Sequence, residues 1–105
     1  MSDYQHQFPA TKWSTAPAGA STLTFQIAKI REEVEEAATT AVIWESSYHD
    51  TAVELMDCIV AAETALRMLE SAGVDLDAAK EAVLAKNEAR SYWRAHPFDS
   101  IEASS

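Results

Sequence analysis

Four carboxylates at a repeated spacing are the residues that could do chemistry: Glu33 with Glu36, and Glu54 with Asp57. The first pair sits in Glu32-Glu33-Val34-Glu35-Glu36 and the second in Glu54-Leu55-Met56-Asp57. Residues three apart on a helix are side-by-side neighbours, so each pair holds like charges close together. A bound hard cation relieves that repulsion, because Mg²⁺ takes oxygen ligands and shares them with substrate phosphates. The plainer reading is a solvated glutamate face, since the chain has 17 acidic residues and glutamate favours helices. The second pair weighs against it, because Glu54 and Asp57 lie in an otherwise apolar, alanine-rich stretch.

The elements that must position these pairs are helices. The first is predicted to begin near Ser21 or Thr22, as N-caps, and to run to about Ser46, with the stripe Leu23, Ile27, Ile30, Val34, Ala38 and Ala41. The second runs from about Asp50 or Thr51 to Ser71 and stops at Gly73, with the stripe Leu55, Ile59, Ala62, Leu66 and Leu69. At roughly 100° per residue, Glu33 and Glu36 fall about 90° and 150° from the centre of the first stripe. Glu54 and Asp57 fall about 100° and 160° from the second, in the same sense. A short link makes the two helices antiparallel neighbours, so offsets of equal sign end on one side. All four acids are therefore predicted to flank one seam, where Ala37, Ala61 and Ala65 leave room for a ligand. A third helix is expected from Asp77 to about Arg94, anchored by Ala79, Val83, Tyr92 and Trp93 and ended by His96-Pro97.

At 105 residues the chain makes one small domain, and its two glycines and Ala- and Leu-rich centre point to an all-α protein. The expected fold is an antiparallel bundle of three main helices, completed by oligomerisation. Residues 1–22, with Pro9, Pro17 and Gly19, read as an irregular arm that turns near Thr11–Ser14 and docks through Phe8 and Trp13. Residues 23–96 form the helical domain and 97–105 a flexible tail. Val53, Met56 and Val60 widen the apolar surface of the second helix, which calls for the third helix or a second copy to cover it. A net charge of −9 argues against nucleic acid as a partner. No membrane-spanning run or signal peptide is visible, so a cytoplasmic protein is expected. Cys58, the single cysteine, reads as a small buried hydrophobe with no histidine near enough to activate it.

Glu33-x-x-Glu36 followed by Glu54-x-x-Asp57 on two successive helices resembles the MazG-like all-α nucleoside triphosphate pyrophosphohydrolases. Ile30-Arg31-Glu32-Glu33-Val34-Glu35-Glu36-Ala37, Glu54-Leu55-Met56-Asp57-Cys58-Ile59-Val60 and Lys86-Asn87-Glu88-Ala89-Arg90-Ser91-Tyr92-Trp93 carry the resemblance, which covers about residues 23–94. It implies cleavage of a (deoxy)nucleoside triphosphate between the α- and β-phosphates, giving monophosphate and pyrophosphate. It also implies Glu33, Glu36, Glu54 and Asp57 as ligands of Mg²⁺, with one of them or Glu32 directing the attacking water. Lys86 and Arg90 would meet phosphate oxygens and Asn87 the sugar or phosphate; solvated cations near a helix C-terminus are the plainer alternative. Trp44, closing the first helix on the acidic side, could stack on a base. Members of the group are dimers or tetramers, so a homo-oligomer is expected.

Two other readings stand beside this one. Lys29-Ile30-Arg31-Glu32-Glu33-Val34-Glu35-Glu36 with Gly73-Val74-Asp75-Leu76 also resembles phosphoribosyl-ATP pyrophosphohydrolase. Alternatively, the chain is a non-catalytic helical module that binds a partner through Met56 and Val60. His6 and His49 have no partner at metal-ligand spacing, so structural or surface roles are expected.

Overall fold

The computed structural model describes residues 3–90. Three helices follow one another: α1, Ala20–Val42; α2, Tyr48–Ser71; and α3, Leu76–Ala89. No strand occurs among the described residues. No described helix is long and apolar enough to cross a membrane. The chain divides into two compact units, Gln5–Val74 with the arm, α1 and α2, and a second that contains α3.

Local chemistry sets the helix ends. α1 begins one or two residues before the expected caps: Gly19 is the N-cap and makes no side-chain cap bond. Thr22 turns its hydroxyl back to the carbonyls of Pro17 (2.7 Å) and Gly19 (3.2 Å) instead. α1 also ends four residues short of Ser46. Its last turn, Thr39-Thr40-Ala41-Val42, contains the β-branched Thr39, Thr40 and Val42, which hold a helix poorly, and Ile43 is already extended. α2 starts earlier than expected, because Ser47 and Asp50 form a capping box. The Ser47 hydroxyl accepts the Asp50 N–H at 3.1 Å, and the Asp50 carboxylate accepts the Ser47 N–H at 3.0 Å.

α2 closes in a Schellman arrangement. The Val74 N–H reaches the Leu69 carbonyl and the Gly73 N–H the Glu70 carbonyl, each at 3.0 Å. Gly73 takes φ +96°, and a Cβ built there meets nothing within 4 Å. The cost of a side chain is therefore purely conformational. Gly73→Ala is expected to lower stability by about 1 kcal/mol, read as a lower urea midpoint at unchanged slope.

α1 and α2 pack along one another, and the face they share coincides only in part with the expected stripes. Gln26 and Ala37 on α1 and Ala61, Glu63, Thr64, Ala65 and Met68 on α2 are buried; Glu33, Glu54 and Cys58 are half-buried, as are Leu23, Ile30, Ala62, Leu66 and Leu69 of the expected stripes. Ile27 and Val34 are 54% and 52% exposed, and Leu55 is 54% exposed. Ala38, Ala41 and Ile59 are exposed as well. The fully buried Gln26, Ala37, Ala61, Ala65 and Met68 thus lie on the acidic side of the stripe centres, by the angular count per residue. Small side chains suit that side: Ala37, Ala61 and Ala65 let the backbones approach closely. Buried Gln26 then donates its Nε2–H to the Ala61 carbonyl at 2.9 Å across the seam.

The arm docks on α2 through backbone hydrogen bonds and polar side chains, with Phe8 half-buried and Trp13 54% exposed. The Gln7 and Phe8 N–H groups donate to Glu63, and Arg67 donates to the Phe8 carbonyl. The expected turn is present, with the Ser14 N–H on the Thr11 carbonyl at 3.1 Å.

In the second unit, the Asp75 carboxylate caps α3 by accepting the Ala78 N–H at 3.1 Å, and Asp77 accepts the Asp3 N–H at 2.9 Å. Ala79 and Val83, expected as anchors, are exposed. The expected continuation to Arg94, the anchors Tyr92 and Trp93, the His96-Pro97 stop and the tail 97–105 lie outside the described residues.

Candidate functional site

The seam, on the acidic side of the stripe centres, brings three of the four expected carboxylates together. Glu33, Glu36 and Glu54 each offer an oxygen, and these atoms all lie within 4.8 Å of one another. Glu33 and Glu54 are half-buried in the seam, and Glu36 is exposed at its edge. Asp57 stands apart from this triad but lines a cleft with Glu33.

The triad lies between two hollows. The cleft, about 380 Å³, is lined by Thr11 and Trp13 of the arm, by Phe25, Gln26, Lys29 and Glu33 of α1, and by Asp57, Val60, Ala61 and Thr64 of α2. A second hollow of about 350 Å³ is bordered by Glu32, Glu35, Glu36, Thr39, Thr40 and Glu54. Glu33 faces one and Glu36 and Glu54 the other, so a group held by the triad could be reached from both.

The electrostatics match the crowding. Burial first, and then the charges of Glu36 and Asp57 and a hydrogen bond with Glu36, push the Glu33 carboxyl above its ordinary range; Lys29 opposes this. Burial and the charges of Glu33, Asp57 and Glu54 push the Cys58 thiol up too. Cys58 is therefore a half-buried neutral thiol, and a poor nucleophile.

The sign of the Glu33 effect gives a test. A raised folded-state pKa means that the ionised side chain costs the fold stability at neutral pH. That cost disappears as pH falls through the folded pKa, and below the unfolded pKa the group contributes nothing. In a chelator, the apparent Tm is expected to gain a contribution between pH 7 and the glutamate range in wild type that Glu33→Gln lacks. Parallel pH profiles of the two proteins would contradict it.

The donor set suits a hard cation: all-oxygen ligands drawn from two helices. The oxygens alone do not select Mg²⁺ over other hard divalent ions.

The other expected residues fall elsewhere. Trp44 is 91% exposed in the connection after α1 and lines none of these hollows. Lys86 and Asn87 lie on α3 and Arg90 is its C-cap, all in the second unit. His6 is not a surface residue: its ring nitrogens lie 3.5 Å from Glu63 and 3.3 Å from Glu70.

Sequence reasoning missed Trp13 and Phe25, which line the cleft, and Gln26 and Glu63, which are buried. The signal for the last two was polarity at helical positions among alanines and other apolar residues, as in Val60-Ala61-Ala62-Glu63-Thr64-Ala65-Leu66. The chain matches no family model, no curated protein and no solved structure.

Proposed function

We propose that this chain is a divalent-metal-dependent nucleoside triphosphate pyrophosphohydrolase. The observation that carries the reading is the convergence of Glu33, Glu36 and Glu54 beside a cleft of about 380 Å³, within the usual size range of small-ligand sites. The paired positions Gln26 with Ala61 and Glu33 with Glu54 support an antiparallel α1–α2 pair. The exposed Ile27, Val34, Leu55 and Ile59 support completion of the bundle by a second copy.

The reaction takes a nucleoside triphosphate and water to a nucleoside monophosphate and pyrophosphate. A bound Mg²⁺ would supply charge neutralisation and a more acidic water. Glu33, Glu36 and Glu54 would hold the ion, with Asp57 on the cleft wall beside Glu33 as the fourth carboxylate. One of these or Glu32 would orient the water. By the resemblance to the MazG-like enzymes, Lys86 and Arg90 would meet phosphate oxygens and Asn87 the sugar or phosphate. The testing experiment is a panel of ribo- and deoxyribonucleoside triphosphates assayed for pyrophosphate with and without Mg²⁺.

A non-catalytic binding module is the competing reading, favoured by the exposure of Met56 on α2. A module has no reason to gain thermal stability from Mg²⁺, whereas a metal site does.

A further inference from the structure

Glu63 is 2% exposed, yet it carries a carboxylate in the interior of α2. Its two oxygens accept consecutive backbone amides of the arm, Gln7 at 2.6 Å and Phe8 at 2.9 Å. Arg67, one turn along, donates to the Phe8 carbonyl. Thr64 meets Thr11 hydroxyl to hydroxyl at 3.0 Å, and buried Ser14 ties the next turn by accepting the Thr11 N–H at 3.0 Å. The segment so fixed ends at Trp13, whose ring is more than half exposed and borders the acidic cleft. Trp13, Phe25 and Gln26 also border a neighbouring hollow of about 260 Å³. The two spaces thus share an aromatic wall, with carboxylates only at the end bordered by Glu33 and Asp57.

We propose that Glu63 is a positioning residue that locks the arm so that Trp13 and Phe25 form the wall for a planar ring, while the ligand's phosphates point toward Glu33. This rests on the pyrophosphohydrolase reading for the phosphates alone; the ring wall stands on the cleft and the arm. A carboxylate suits the task because it accepts two N–H groups at once, whereas a glutamine offers one acceptor oxygen and turns a donor toward the other amide. Stacking of a base on an aromatic side chain accounts for a roughly tenfold or larger change in affinity when the ring is removed.

The experiment measures binding to the full chain in Mg²⁺ by calorimetry. The probes are an α,β-methylene nucleoside triphosphate, the matching nucleoside, and inorganic tripolyphosphate. Trp13→Ala is expected to weaken the methylene nucleotide and the nucleoside about tenfold and to leave tripolyphosphate unchanged. Trp13→Phe should restore most of the loss. Glu63→Gln should show the same pattern, and the double variant Glu63→Gln/Trp13→Ala should be no weaker than Trp13→Ala alone. Unchanged nucleotide affinity in Trp13→Ala overturns the proposal. So does equal loss for tripolyphosphate, which would mean a merely structural effect. If wild type fails to bind tripolyphosphate while nucleoside binding still depends on Trp13, the pyrophosphohydrolase reading falls and the ring wall survives.

Discussion

Glu54→Gln is expected to reduce Mg²⁺-dependent pyrophosphate release by at least about a hundredfold, since even residues that only support metal ligands carry effects of 10- to 100-fold. Glu54 is the one member of the triad supplied by α2; Glu33 and Glu36 both come from α1. Without it, two carboxylates three apart on one helix remain, a common arrangement on solvated faces. The same substitution should remove the rise in Tm that Mg²⁺ gives wild type. In chelator it should leave the protein no less stable, because one of three crowded negative charges is gone. Carboxylates 4.8 Å apart repel by about 1 kcal/mol at the dielectric of water. Glu35→Gln is the matched control, an exposed glutamate of the same run that is not in the triad. If Glu54→Gln releases pyrophosphate as fast as wild type, the assigned role is wrong. If both variants lose activity alike, the loss reflects overall charge and not coordination.

The approach of Glu33, Glu36 and Glu54 was in reach of the helical repeat and a short connection, although Asp57, expected with them, is not part of the triad. Glu33, Glu36 and Glu54 sit at fixed angles on their own helices, and any close pairing of those helices on that side gathers them. Which side would pair could not be worked out in the same way. An apolar stripe marks a face that leaves water, but not whether a neighbouring helix or another molecule takes it there. Ile27 and Val34 of the stripe are exposed, whereas Ala37, Ala61 and Ala65 are buried and Gln26 bonds the Ala61 carbonyl between the two helices. The cleft was illegible for a related reason. Trp13 reaches it on an arm that Glu63, Thr64 and Arg67, far away in sequence, hold on α2. Trp44 looked better placed on the wheel, but the helix stops before it: Ile43 leaves α1 in an extended conformation and takes Trp44 off the acidic face. Cap chemistry was readable in part. Gly73 ends α2 as its residue type suggests, whereas the Ser47–Asp50 box starts α2 before the expected Asp50 or Thr51.

On the proposed assembly of two copies, Leu55→Asp is expected to give a monomer and to lower the Tm. Among the described residues of the α1–α2 unit, the buried apolar side chains are Ala37, Ala61, Ala65 and Met68, while Ile27, Val34, Leu55 and Ile59 remain outside. That distribution is inverted for a free-standing domain of this size, whose limited core must hold its largest apolar groups. Relative to the seam, the outward stripes of both helices are offset in the same sense, so in an antiparallel pair they form one face opposite Glu36 and Asp57. A second copy laid against that face would complete a four-helix bundle by burying like against like. Each leucine buried there contributes about 1.5–3 kcal/mol, and two-fold symmetry counts every substitution twice. Aspartate adds the cost of an unpaired charge at the same place. Together these weaken association by at least about a hundredfold on the affinity scale, enough to be seen by light scattering at micromolar concentration. Leu55→Met, which keeps apolar volume, should remain assembled. Wild type that scatters as a monomer would leave the outward stripe without the partner assigned to it, and an unchanged mass for Leu55→Asp would place the contact on a different face.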